Sequence, residues 1–272
     1  MKQGKNLSGP VDNNSYFAGA KVMILNDNLY NFFCDLAKNV KLDFLSLGLG
    51  YTAVATSEGG IGIAYTYFEN KKSCMVLNEA IDYEGRQAGA LLEKIKSENT
   101  IERSMALALV NALNYEDALK LPEDKNNTIL FKKFNIQPDT NVAMVGYFGP
   151  LVNRFKEKNI PLEILDTSRG LGNRQDFNKK LGSWTDVLLL TSTSILNNTA
   201  EEILAHNHEK VKTAMLGPST PMVAKVFEHL PVQMLAGTVP IEKEDILKAI
   251  RHGMGTPVLH KFSRKSYLTL NT

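Results

Sequence analysis

The sequence predicts an α/β protein in two parts, an N-terminal α+β unit followed by a Rossmann-like unit built on a parallel sheet. Two observations carry this. Five short apolar segments in the second half each run into small or hydroxyl-bearing residues: Val142 to Val145 into Gly146, Leu162 to Leu165 into Asp166, Val187 to Leu190 into Thr191, Thr213 to Leu216 into Gly217, and Val232 to Ala236 into Gly237. Strands buried on both faces read as near-continuous apolar runs, and the intervals between these are long enough for the crossovers that parallel pairing requires. The first half lacks that alternation and groups its strands together, which points to an α+β arrangement.

In order along the chain, residues 1–20 are polar and rich in Gly and Asn, and read as an arm without assigned function. From Leu25 to Val40, Leu29, Phe32, Phe33, Leu36 and Val40 recur at helical spacing. Leu42 to Leu49, Tyr51 to Thr56 and Ile61 to Phe68 read as strands separated by Gly48/Gly50 and Gly59-Gly60, a small antiparallel unit. Helices are expected over about Gly85 to Lys96 and Thr100 to Leu113. The second opens on Asn99 with Glu102 three residues later, like a capping box, and places Ile101, Met105, Ala108, Leu109 and Ala112 on one face. The polar stretch from Tyr115 to Asn127, with its Leu121-Pro122-Glu123-Asp124 turn, reads as a linker. The division is therefore 21–120 for the first domain and 121–272 for the second.

Composition bounds the function. A formal charge of +2 over 272 residues, with no long run of like charge, gives no nucleic-acid stripe and no polybasic membrane anchor. No apolar run approaches a membrane span, and the first residues lack a signal peptide's apolar core, so the expectation is a soluble cytoplasmic protein. Cys34 and Cys74 are too few and too far apart for a disulfide framework or a metal cluster. Of the histidines, His206 and His208 are two apart and His229, His252 and His260 are scattered, so no metal site is assigned and they read as structural.

Ligands of parallel sheets sit outside the carboxyl ends of the strands, so the loops there are the candidates. Gly146-Tyr147-Phe148-Gly149-Pro150 permits a tight turn beneath a helix start, but it lacks the third glycine of a dinucleotide fingerprint, and Pro150 removes an amide. Asp166 lies about 20 residues on, where a ribose-binding acid belongs, and an N-capping role explains it equally well. Thr191-Ser192-Thr193-Ser194 offers more hydroxyls than one helix cap needs. Gly217-Pro218-Ser219-Thr220-Pro221 is a stiff polar loop, read either as a ligand contact or as the capped start of a helix with Pro221 in its first turn. Gly237 and Thr238 close the series. No nucleophile elbow, phosphate loop or zinc-protease motif is present.

Taken together, Gly48-Leu49-Gly50-Tyr51-Thr52-Ala53-Val54, Glu102-Arg103-Ser104 leading to Asn111-Ala112-Leu113-Asn114, Val145 to Phe148, Leu216 to Pro221, Leu235 to Thr238, and Gly253-Met254-Gly255-Thr256 form a pattern. In it the chain resembles the heavy-metal chelation family, over about Leu25 to Leu259. The resemblance implies an enolase N-terminal-like domain joined to a Rossmann-like domain, a site between them, and chemistry on pterin-, flavin- or chelator-like molecules. It gives Tyr51, Thr52 and Asn111 a place facing Gly146, Tyr147, Asp166, Thr191, Thr193, Gly217, Ser219, Thr220, Gly237 and Thr238. A glycine expected in the Thr191 loop is missing. The reading is a small-molecule-binding protein, with a metal-chelate ligand and homo-oligomerisation both open, no cofactor assigned and no general base named. Two rivals stand beside it: an S-adenosylmethionine- or NAD-dependent enzyme, motivated by Asp166, and a metal-chelate carrier or sensor without chemistry.

Overall fold

The computed structural model of the protein describes residues 24–68, 77 and 82–270. The polar arm and Cys74 lie outside the described residues. The chain opens with helix α1 (Ile24–Ala37), which buries Leu25, Leu29, Phe33 and Ala37 at four-residue spacing. Phe32 and Leu36, assigned to that face by the sequence pattern, are instead exposed, at 44% and 45%. The helix also stops short of Val40.

Strands β1 (Leu42–Leu47), β2 (Tyr51–Thr56) and β3 (Ile61–Tyr65) form an antiparallel meander in that order. The predicted helix after it is broken into a short α2 (Gly89–Leu92) and a 3-10 turn at Glu93–Lys96. Helix α3 (Thr100–Leu113) begins where expected: the Asn99 side chain accepts from the Ile101 amide at 2.9 Å. The reciprocal half of a capping box is not made, because Glu102 turns to the Ser97 hydroxyl and to Lys94, 2.9 Å away. Nor is α3 one-faced. Ala106, Leu107 and Val110 are as fully buried as Met105 and Leu109, as expected for a helix enclosed on all sides. Its approach to the small sheet depends on Gly62, where a Cβ would come within 2.2 Å of the Ala108 carbonyl oxygen and the Ala112 nitrogen.

The expected linker contains a helix, α4 (Tyr115–Leu119), and is followed by α5 (Thr128–Phe134). Then come β4 (Val142–Val145), α6 (Gly149–Glu157), β5 (Leu162–Leu165), α7 (Arg174–Ser183), β6 (Val187–Thr191), α8 (Thr193–Leu196), α9 (Ala200–Leu204) and β7 (Lys212–Leu216). The chain ends with β8 (Met234–Pro240), α10 (Lys243–Arg251), α11 (Thr256–Leu259) and β9 (Ser263–Thr269). The second sheet is ordered β5-β4-β6-β7-β8-β9; the first five of these are parallel and β9 runs antiparallel to β8. The order reverses between β4 and β6, the topological switch point of a doubly wound sheet.

Alternation along the parallel strands sorts the core. Val142, Met144, Val187, Leu189, Leu216 and Met234 face α5 and α6 through Leu130, Phe134, Leu151 and Phe155. Ala143, Val145, Leu188, Leu190, Met215 and Leu235 belong to a core that continues through Phe177 and Leu181 into α1 and α3. The two sheets are therefore joined by one body of apolar side chains. They are also interleaved: Ile246, Ala249 and Ile250 of α10, late in the chain, cover Tyr51, Ala53, Ile61 and Ile63 of the small sheet. No helix among the described residues is long and apolar enough to cross a membrane.

Candidate functional site

The carboxyl ends of the strands are closely packed. Gly146, with φ of +86°, brings its backbone so near β6 that a Cβ would lie 3.0 Å from the Thr191 Cβ. Gly217, with φ of +126°, stands equally close to Ser192, whose Oγ a Cβ would meet at 2.8 Å. Both are positions where only glycine fits without strain. The hydroxyl run between them turns mostly on itself: Thr191 and Thr193 share a 3.0 Å hydrogen bond and the Ser194 hydroxyl donates to the Thr191 carbonyl at 2.7 Å. Asp166, at the end of edge strand β5, accepts from the Ser168 hydroxyl at 2.6 Å and the Arg169 amide at 3.2 Å, thereby capping a 3-10 turn.

The loop after β7 forms a seam with the small sheet. Ser219 is 1% exposed, and its hydroxyl accepts from the Tyr65 amide at 2.7 Å. Asn111 of α3 donates to the Ile63 carbonyl at 2.9 Å and to the Ser219 carbonyl at 3.3 Å, while Asn114 donates to the Met222 carbonyl at 3.2 Å. The Thr220 hydroxyl folds back onto the Gly217 carbonyl at 2.8 Å. No helix starts at Pro221; the segment turns without regular secondary structure until a 3-10 turn at Ala224–Phe227, so the expected capped helix is replaced by a loop pinned to the other sheet. Thr52 is fully buried and bonds to Thr66 at 2.8 Å. Tyr51, whose burial pushes its phenol up, meets the Thr256 hydroxyl at 2.6 Å.

Beside this seam, on the α5 and α6 face of the larger sheet, lies a cavity of about 440 Å³. Leu130, Leu151, Leu216, Met234 and Ala236 give it an apolar floor, with Tyr147, Phe148 and Tyr267 along the sides. Tyr147, Gly217, Gly237 and Thr238 reach this cavity; Tyr51 touches it through Thr256. Thr52, Asn111, Gly146, Asp166, Thr191, Thr193, Ser219 and Thr220 are not among its walls. Gly237 and Thr238 sit in mid-strand rather than beyond the strand end, because β8 continues to Pro240 in order to pair with β9.

That pairing supplies side chains absent from the sequence-based candidates. Lys265 stands opposite Thr238, and Tyr267 opposite Ala236. The Thr238 hydroxyl lies 3.4 Å from His260 Nε2. Burial first, and then the Lys265 charge, push the His260 imidazole down to about 4, so it is uncharged at neutral pH. Strand β9 left no polar/apolar alternation to find, since Lys265 and Tyr267 share one face and Ser266 and Leu268 the other, each with one polar and one apolar residue.

The model of the family described as "Putative heavy-metal chelation" matches residues 129–269, and a second family model of the same description matches residues 30–114. The chain belongs to that family. A similar sequence is an uncharacterized protein of Methanocaldococcus jannaschii, 21% identical, the match covering 89% of this chain and 95% of that protein. Among solved structures, a family protein of unknown function from Pyrococcus horikoshii superposes with a TM-score of 0.74 at 22% identity, covering 90% of this chain and 99% of that one. One from Desulfitobacterium hafniense gives 0.71 at 18%, covering 90% and 97%. The α/β fold is that of the family.

The family description makes a metal the first ligand to test against the side chains. Among the described residues, no three His, Cys, Asp or Glu side chains converge as a metal set. The cavity offers His260 and one carboxylate, Asp124, whose oxygens already accept from the Thr128 and Ile129 amides at 2.8 Å and from the Thr128 hydroxyl at 2.9 Å. Soft metals favour thiolate and imidazole sets, and this donor set does not fit a bare heavy-metal ion.

Proposed function

We propose that the protein binds a small organic molecule of pterin-, flavin- or chelator-like shape in this cavity, and that any metal reaches it already held by such a chelator. The observation that carries the reading is the cavity itself: an apolar floor of adequate size with a few convergent polar groups, beside strands whose ends are the usual ligand edge of a doubly wound sheet. Membership in a family named for chelation supports the link to chelators, and the donor set argues for the chelate over the ion. The two domains we infer, 21–120 and 121–272, meet at the seam, next to the cavity's Gly217 and Pro218.

Native mass spectrometry of freshly purified protein, combined with elemental analysis, tests this. The expected result is a stoichiometric organic adduct that is lost on replacing Ala236, in the cavity floor, with Phe. A stoichiometric metal without an organic partner would overturn it. Incubation of the recovered adduct with the protein separates enzyme from carrier: a changed mass marks the former.

A further inference from the structure

Building on the cavity reading above, we infer that its ligand is a planar aromatic acid with one anionic group, which pairs with the ammonium of Lys265. The floor and sides of the cavity are apolar and aromatic, so a flat ring system is what they complement. The charged side chains of the lining are Lys265 and Asp124. Lys265 projects from β9 beside Thr238, and among the described residues no carboxylate lies within ion-pair distance of it. Its ammonium makes one long contact, 3.4 Å to the Lys125 carbonyl. Asp124, which also lines the cavity, directs its oxygens to the start of α5. An ammonium at the edge of an apolar wall, without a counter-ion among the described residues, is placed to form a charge-assisted hydrogen bond with an incoming anion.

Lys265 is the one Lys or Arg among the described residues lining the cavity, which matches an anion of single charge. His260 is neutral, so together with the Thr238 hydroxyl it offers a hydrogen bond and no second positive charge. A polyphosphate would need more. The start of α6 adds the Gly149 amide and little more, since Pro150 has no amide hydrogen and the Leu151 and Val152 amides both donate to the Phe148 carbonyl at 2.9 Å. A carboxylate or sulfonate on an aromatic frame matches what is left.

Two dyes test this on the full chain: 8-anilinonaphthalene-1-sulfonate, and N-phenyl-1-naphthylamine, which is the same frame without the sulfonate. Fluorescence titration is expected to show the anionic dye binding about tenfold more tightly, with that advantage shrinking as salt rises while the neutral dye's affinity holds. Lys265→Met should reduce the advantage to within about twofold, and Lys265→Arg should keep most of it. Ala236→Phe should abolish binding of both dyes, with melting curves confirming that each variant folds. If Ala236→Phe abolishes binding but the anionic advantage in the native protein is absent or insensitive to salt and to Lys265→Met, the charge assignment falls and the cavity stands. If Ala236→Phe leaves both dyes bound, the cavity reading falls as well.

Discussion

Two polar regions lie side by side in this molecule and use their hydrogen bonds in opposite ways. Along the seam, Ser219, Asn111, Asn114 and Thr220 meet backbone partners at 2.7 to 3.3 Å, and Ser219 and Thr220 are almost fully buried. In the cavity, Thr238 and His260 are 3.4 Å apart and Lys265 has no carboxylate partner among the described residues. A dense run of hydroxyls at a strand end is therefore not itself a sign of a ligand. Where two sheets must be locked together, buried backbone groups require partners, and polar side chains supply them. Groups left with long or missing partners are the ones available to a ligand.

The largest expected effect breaks the seam while leaving the cavity intact. Ser219→Ala combined with Asn111→Ala strips a partner from the Tyr65 amide and from the Ile63 carbonyl. Each orphaned buried group costs about 1–3 kcal/mol, so the pair should lose about 2–6 kcal/mol of stability. Denaturant unfolding measures the loss, and dye affinity for the folded variant should stay within about twofold of the native value. Unchanged stability with lost dye binding would reverse the roles given to the two regions.

A smaller effect belongs to the cavity alone. The unfolded His260 imidazole takes up a proton near its ordinary 6.5, whereas in the folded protein it does so only at about 4. Between these values the unfolded state binds more protons, so this group's contribution is complete above pH 6.5, declines as the pH falls and is fully lost below about 4. With solvent screening of a half-buried ring, the loss is about 1–2 kcal/mol. His260→Gln should flatten that part of the stability profile. An unchanged acid slope would show that the ring is not held neutral in the fold.

The same contrast explains what could be read in the residues alone. The cores of β4, β6 and β7 were legible because strands buried on both faces leave apolar runs, edge strand β5 was legible from Leu162, Ile164 and Leu165 although only Leu165 is buried, and β2 was bounded by its glycines. Strand β9, with Ser263, Arg264, Lys265 and Ser266 in its first half, carries no such run, since it closes the edge of the sheet. Missing it hid the extension of β8, and with it the positions of Lys265 and Tyr267 opposite Thr238 and Ala236. Helix α10 was not assigned in the sequence, although Ile246, Ala249 and Ile250 stand at helical spacing, and its packing on a sheet formed about 200 residues earlier is a long-range contact with no local trace. For Ser219 and Asn111 the residue types were informative and their partners were not: a buried hydroxyl looks the same in sequence whether it meets a ligand or a backbone amide.

The smallest stability effect belongs to Tyr147, and it separates the two regions most cleanly. Its ring is 39% exposed at the cavity wall, and Arg169 stacks over it at 4.7 Å from the centroid. An exposed cation–π contact contributes about 0.5–1 kcal/mol, so Tyr147→Ala should leave the melting temperature within a few degrees of native. A ligand ring lying along the cavity side would lose an aromatic neighbour, and dye affinity should fall about three- to tenfold. Tyr147→Phe, which keeps the ring and removes the hydroxyl, should restore most of it. A seam residue behaves the other way round, losing stability first and binding only through unfolding. If Tyr147→Ala binds both dyes as the native protein does, the ligand sits deeper, against Tyr267 and Met234, and the mouth of the cavity has no part in holding it.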